Sequence, residues 1–110
     1  MESPTPLRLK EARKAAGYTQ QQLGIALGME PNTASARMNQ YEKGKHAPDF
    51  TTMKRIADEL GVPVAYFYCE DDQLADLISI YGKLGKDEKQ AIILNIKEML
   101  NGKKYGKSKE

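Results

Sequence analysis

Tyr18-Thr19-Gln20-Gln21-Gln22-Leu23, then Leu27-Gly28-Met29-Glu30-Pro31, then Tyr41-Glu42-Lys43-Gly44 are the pieces of one stretch that decide how this chain folds. Thr19 and Gln22 have the spacing at which each side chain satisfies the other's backbone N–H at a helix start, and Tyr18 with Leu23 has the spacing of a hydrophobic staple. Leu23, Ala26 and Leu27 then form an inner face, and Gly28 ends that helix. Pro31 suits the first turn of the next helix. Ala34, Met38 and Tyr41 recur at helical spacing within it, so they face the core. Its opposite side holds Asn32, Ser35, Ala36, Asn39, Gln40 and Lys43, which are small or polar. Two short helices tightly joined, the second with such an outer face, is a layout that reads DNA in the major groove.

Working outward, the pattern predicts helices throughout. A first helix over residues 6–16 has Thr5 as its cap, Pro6 in its first turn, and Leu9, Ala12 and Ala16 on one face, with Gly17 ending it. The third helix is expected over residues 31–43. Asp49 should cap a fourth, whose buried stripe is Phe50, Met53, Ile56, Ala57 and Leu60, and Gly61 stops it. Residues 62–68 are β-rich but carry Pro63 and have no partner strand, so a short fifth helix burying Val64 and Phe67 is expected. Glu70-Asp71-Asp72 reads as a surface break. Two amphipathic helices follow, one with Leu74, Leu77, Ile78, Tyr81 and Leu84, the other with Ile92, Ile93, Ile96, Met99 and Leu100. Gly85 separates them, and Asp87 and Glu88 suit the dipole at the start of the second. So short a connection predicts an antiparallel hairpin. The expected fold class is all-α: a five-helix domain over residues 1–69, a C-terminal hairpin over 70–102, and a basic mobile tail over 103–110.

Composition narrows the function classes. At 110 residues and 40% apolar content, the chain supports a modest core rather than a core plus a deep ligand cavity. Net charge is only +2, but residues 1–46 carry seven cations against four anions. The segment 70–76 is acidic and the tail basic. A basic front half suits a polyanion, and an acidic middle disfavours wrapping the whole chain in DNA. The single cysteine, Cys69, has no internal disulfide partner, which fits a reducing compartment and the role of a small buried filler. A redox sensor would want a second cysteine. No run of 18 apolar residues exists and the N-terminus has no apolar signal core, so a cytoplasmic protein working at the nucleoid, with no membrane span, is expected. One histidine, His46, and no ligand cluster argue against a metal site, and no cofactor is expected. No Ser/His/Asp arrangement is present and the glycines sit at helix ends rather than in a phosphate loop, so an enzyme is not expected.

Residues 7–67 resemble the Xre-type helix-turn-helix regulators, the family of the phage lambda repressor and Cro. The carriers are Arg13-Lys14-Ala15-Ala16-Gly17-Tyr18-Thr19-Gln20, Leu23, Tyr41-Glu42-Lys43-Gly44, Pro48 and Ile56-Ala57-Asp58-Glu59-Leu60-Gly61-Val62. Each alone is weak, and the ordered set is specific. The resemblance implies a lambda-repressor-like fold in which the third helix reads base edges. Gln20 matches the position that touches a phosphate, and a helix N-terminus with a side-chain amide has the donors to do so. Ser35, Asn39 and Gln40 can pair with base edges, Ala36 can meet a thymine methyl, and Arg37 is expected at a phosphate or a groove-edge base. Lys43 and Lys45 fall in the loop that the family lays along the DNA backbone. Arg13 and Glu42 match a partly buried salt bridge between the first and third helices. The chain departs from the family's usual length at Glu30-Pro31-Asn32-Thr33, which add a turn to the front of the third helix. Asn32 and Thr33 then either reach into the groove or lift the helix N-terminus against the backbone.

The C-terminal helices must bury the face holding Leu74, Leu77, Tyr81, Ile92, Ile96 and Met99, either on their own chain or in a homodimer that matches two half-sites on duplex DNA. The leading expectation is a dimeric repressor reading a palindromic operator. An antitoxin whose C-terminal helices bind a toxin protein, and a module that bridges proteins without reading DNA, are the alternatives.

Overall fold

The computed structural model describes residues 3–108, with side chains as far as Lys103. Among these residues all regular structure is helical. Helices α1 (Thr5–Ala15), α2 (Gln20–Ala26), α3 (Pro31–Glu42) and α4 (Phe50–Leu60) are followed by a 3-10 helix, Val64–Tyr68, and then by α5 (Asp72–Gly82) and α6 (Lys86–Ser108). The expected all-α class and lambda-repressor-like body are therefore observed.

Local chemistry explains most boundaries. Thr19 caps α2 in a capping box: its hydroxyl accepts from the Gln22 N–H, while the Gln22 side chain accepts from the Thr19 N–H. The Asp49 carboxylate accepts from the Thr52 N–H at the start of α4. Those bonds favour the charged form and hold the Asp49 pKa below its ordinary value. Gly61 ends α4 at φ 72°, a left-handed conformation costly to any residue with a Cβ.

The core runs through one contiguous cluster. Leu9, Leu23, Met38, Met53, Ile56 and Phe67 are fully buried, with Ala12, Ala57 and Tyr66 around them. Full burial of one such side chain contributes roughly 1.5–3 kcal/mol. Several expected core positions fall elsewhere. Phe50 is 63% exposed because it is the first residue of α4, where the stripe has not yet turned inward. Ala16 and Ala26 are exposed at helix ends, whereas Gly24 is buried. Thr5 does not cap α1; Pro4 holds that position, and the Thr5 hydroxyl donates to the Phe67 carbonyl at 2.9 Å.

Arg8 joins the start of the fold to its far end. It is buried, and its Nε donates to the Cys69 carbonyl at 2.9 Å. Nη2 donates to the Glu70 carbonyl and to Asp72, Nη1 reaches Glu11, and the guanidinium lies 5.9 Å from the Tyr66 ring centroid. Burial pulls its pKa down, but the bonds to Asp72 and Glu11 outweigh that, and the net shift is upward. The charge is thus fixed against the segment 69–72.

Helix α5, capped by Asp71, packs against the 3-10 helix. Ala75 is buried, Ile78 joins the core, and Gly82 sits so close to Pro63 that a Cβ would lie 2.7 Å from its ring. Leu74, Leu77 and Ile80 remain about half exposed on the outer face. Helix α6 then follows. Despite the short connection, Leu74, Leu77 and Ile80 of α5 and Ile93, Ile96, Met99 and Leu100 of α6 stay exposed, so the two helices do not bury these apolar positions on each other as expected. Lys89 lies over the Tyr81 ring near the turn, and beyond Ile92 the described side chains of α6 are exposed. The molecule is long, 63 × 34 × 22 Å. The last helix also runs to Ser108 instead of stopping near Asn101, passing Gly102 and Gly106, each of which weakens a helix by only about 1 kcal/mol amid lysines, which favour it. Lys109 and Glu110 of the expected tail lie outside the described residues.

Candidate nucleic-acid interface

The close approach of α2 and α3 sets the geometry of the candidate interface. These two helices make the most extensive contact between elements in the molecule. At their crossing, Gly24 faces Ala34, and a Cβ on Gly24 would stand 2.6 Å from the Ala34 Cβ. Gly28 then turns the chain at φ 92°, and Pro31 opens α3 in its first turn. Ala34 and Met38 are fully buried and Tyr41 is partly so. With that side anchored, the other must face outward. Asn32, Thr33, Ser35, Ala36, Arg37 and Gln40 are exposed along the length of α3, and Asn39 is half-buried at its margin. The extra turn read from Glu30-Pro31-Asn32-Thr33 is helical from Pro31 onward.

A hydrogen-bonded network ties this face to the body. The Arg13 guanidinium forks onto Glu42, with Nε to Oε2 at 2.5 Å and Nη2 to Oε1 at 3.1 Å, and its Nη1 donates to the Tyr18 carbonyl at 2.8 Å. The two side chains are only 10% and 3% exposed. The Gln20 amide donates to the same Glu42 Oε1 at 3.1 Å and to Asn39 Oδ1 at 3.2 Å, and the Ser35 hydroxyl donates to Gln20 Oε1 at 3.5 Å. Both N–H bonds of the Gln20 amide are therefore used within the protein. In this arrangement Gln20 braces Asn39. Asn39 has its oxygen occupied and its amide nitrogen left to donate.

The loop after α3 extends the surface. Lys43 is the exposed cap residue of α3, and Lys45 donates its backbone N–H to the Gln40 carbonyl at 3.0 Å. Gly44 takes φ 74° between them, and His46 is exposed nearby. The structure thus brings Gln20, Ser35, Asn39, Gln40, Lys43 and Lys45 to one side of the molecule through the α2–α3 unit. Among the described residues no group of three or more His, Cys, Asp or Glu is placed to hold a metal ion.

Gly24 and Arg8 carry structural roles that the sequence alone did not reveal. A glycine inside a helix costs about 1 kcal/mol relative to alanine, and that local penalty was the available signal for Gly24. Arg8 gave little, since apart from Glu11 three residues on, its partners are the Cys69 and Glu70 carbonyls and Asp72, more than sixty residues away.

Residues 9–67 match the helix-turn-helix family model. The chain belongs to this family, the Xre-type helix-turn-helix regulators. It is 24% identical over 98 residues to the cryptic phage CTXphi transcriptional repressor RstR of Vibrio cholerae, covering 84% of this chain and 85% of the relative. The crystal structure of the transcriptional regulator BswR superposes with a TM-score of 0.84 at 44% identity, over 88% of this chain and 96% of that one. This Xre-type chain is a DNA-binding transcriptional regulator with its helix-turn-helix formed by α2 and α3. Among its described residues no helix is long and apolar enough to cross a membrane.

Proposed function

We propose that the regulator is a dimeric repressor that reads a palindromic operator through the exposed face of α3. One observation carries this reading: a helix fully buried on Ala34 and Met38 presents Ser35, Ala36 and Gln40 to solvent on its opposite side. Small and amide side chains in that position can reach base edges without colliding with the groove. Gln40 is the main base reader, pairing with adenine through its amide. Asn39 is positioned by Gln20 to donate from its own. Ala36 meets a thymine methyl, Ser35 accepts or donates locally, and Arg37 reaches a phosphate or a base at the groove edge. Asn32 and Thr33 extend the contact at the N-terminal turn. Lys43 and Lys45 track the phosphates, so each adds to the salt dependence of binding. Gln20 stands at the backbone end of the same unit. A relative that is itself a phage transcriptional repressor supports repression, which here works by covering a promoter.

Dimerisation follows from the C-terminal helices, whose Leu74, Leu77, Ile96 and Met99 are exposed, with Tyr81 and Ile92 partly so. Two half-sites about one turn of DNA apart suit two copies of α3 related by a two-fold axis. The regulator acts in the cytoplasm, at the nucleoid. Selection of bound sequences from random duplexes tests the proposal. A palindrome with half-sites about 10 base pairs apart is the expected product. No enriched sequence would overturn it.

A further inference from the structure

We propose that α6 is a self-pairing helix: two copies of the chain associate through antiparallel α6 helices, with the two-fold axis passing Ile96. This rests on the dimer reading above, and adds which helix pairs, in which direction, and about which residue.

Three features point to it. The first is the pattern. Ile92, Ile93, Ile96, Met99 and Leu100 fall on one side of α6, in a stripe about 120° wide at 3.6 residues per turn. The stripe is symmetric about its own middle. Ile92 and Leu100 lie equally far from Ile96 on either side, and so do Ile93 and Met99. A two-fold axis at Ile96 therefore sets Ile92 against Leu100, Ile93 against Met99, and Ile96 against itself. Every apolar residue of the stripe meets an apolar partner.

The second feature is that, among the described residues, most of this stripe is uncovered by its own chain. Ile93, Ile96, Met99 and Leu100 are 41%, 47%, 71% and 64% exposed. Helix α6 is 23 residues long, and beyond Ile92 its described side chains are exposed. Its base is held, because α5 is locked onto the body through Ala75, Gly82 against Pro63, and the Arg8–Asp72 bond. A firmly based apolar helix can pair with a second copy without unfolding anything.

The third feature is charge. The helix carries Lys86, Asp87, Glu88 and Lys89 in its first turn, with no net charge, and Lys97, Glu98 and Lys103, with a net positive charge, in its second half. Antiparallel pairing about Ile96 sets this neutral turn against Lys103 of the partner subunit, which faces Lys89 and has Glu88 one residue away. Parallel pairing would stack Asp87 and Glu88 on their own copies, and the lysines on theirs, which is repulsive. Lys89 itself is turned onto the Tyr81 ring at 5.3 Å.

Cysteine cross-linking of the full chain tests the geometry. Wild-type protein is the control, since its one cysteine, Cys69, is buried. Under mild oxidation, Ile96→Cys should form a disulfide-linked dimer at least about tenfold faster than Gln90→Cys, because only the former brings two Cα atoms within disulfide reach. Ile92→Cys and Leu100→Cys should each link slowly alone and rapidly when mixed. Self-linking of Ile92→Cys, Ile96→Cys and Met99→Cys at equal rates would show a parallel pair and overturn the proposal. A dimer by sedimentation in which Ile96→Cys links no faster than Gln90→Cys would leave dimerisation standing and remove α6 as the axis. A protein that sediments as a monomer at all concentrations would overturn the dimer reading itself. Met99→Glu should shift the dimer toward monomer by about tenfold or more while helix content is retained, and an unchanged dimer would count against the stripe as the interface.

Discussion

Replacing Arg13 with alanine is the perturbation whose outcome the structure fixes most closely. Arg13 holds three groups at once: the two carboxylate oxygens of Glu42 and the carbonyl of Tyr18. Glu42 is 3% exposed as a side chain, and without Arg13 its charge retains only the Gln20 amide. Leaving one member of a buried ion pair without its partner costs ~3–5 kcal/mol. For a domain of this size each kcal/mol lowers Tm by roughly 4–8 °C, so a fall of at least about 12 °C is expected. Total stability of ~5–15 kcal/mol leaves most such variants folded at room temperature. Thermal denaturation followed by far-ultraviolet circular dichroism measures the change. The double variant Arg13→Met/Glu42→Met adds a check on cause, because it removes the stranded charge. It should be more stable than Arg13→Ala alone, although Gln20 and the Tyr18 carbonyl still lose partners. A single variant melting within about 2 °C of wild type, against that expected fall, would refute the reasoning.

Three further outcomes follow from the same physics. Gly24→Ala should destabilise by ~1–3 kcal/mol in urea denaturation, despite the better helix propensity of alanine, because its Cβ would meet Ala34 at 2.6 Å. Adding Ala34→Gly should recover part of that loss. Arg8→Leu should cost about 3 kcal/mol by leaving the Cys69 and Glu70 carbonyls without their donor, and should speed amide hydrogen exchange in the segment that leads into α5. Asp49 is lowered from 3.8 in the folded state, so the stability it contributes is present above that value and is lost as pH falls through the folded pKa beneath it. Asp49→Asn keeps a capping oxygen and removes the titration, so its acid melting profile should be flatter while its neutral stability is little changed.

Much of the body was legible because its signals are local. The Thr19–Gln22 capping box, the Asp49 cap, the left-handed glycine at Gly61 and the Ala34–Met38 face each depend on residues within a turn or two of one another. What was not legible depends on distant partners. Arg8 counted only as one more cation until its bonds to the chain near Cys69 were visible. The bonds from the Gln20 amide to Asn39 and Glu42 likewise join residues about twenty positions apart. Phe50 fits the periodicity of α4, but its place at the helix start leaves it outside the stripe. The antiparallel hairpin followed from loop length alone, which limits how far apart two helix ends lie but not the angle between the helices. Ile93, Ile96, Met99 and Leu100 of α6 are left exposed.

In the proposed complex the outer face of α3 reads bases and the loop beyond it reads only the backbone. Titration of Gln40→Ala against every single-base variant of the selected operator tests this most directly. A loss of ~1–3 kcal/mol on the selected sequence is expected, together with a loss of discrimination at one symmetry-related base-pair position. A uniform loss across all variants would make Gln40 a phosphate contact, and unchanged binding would remove α3 as the reading helix.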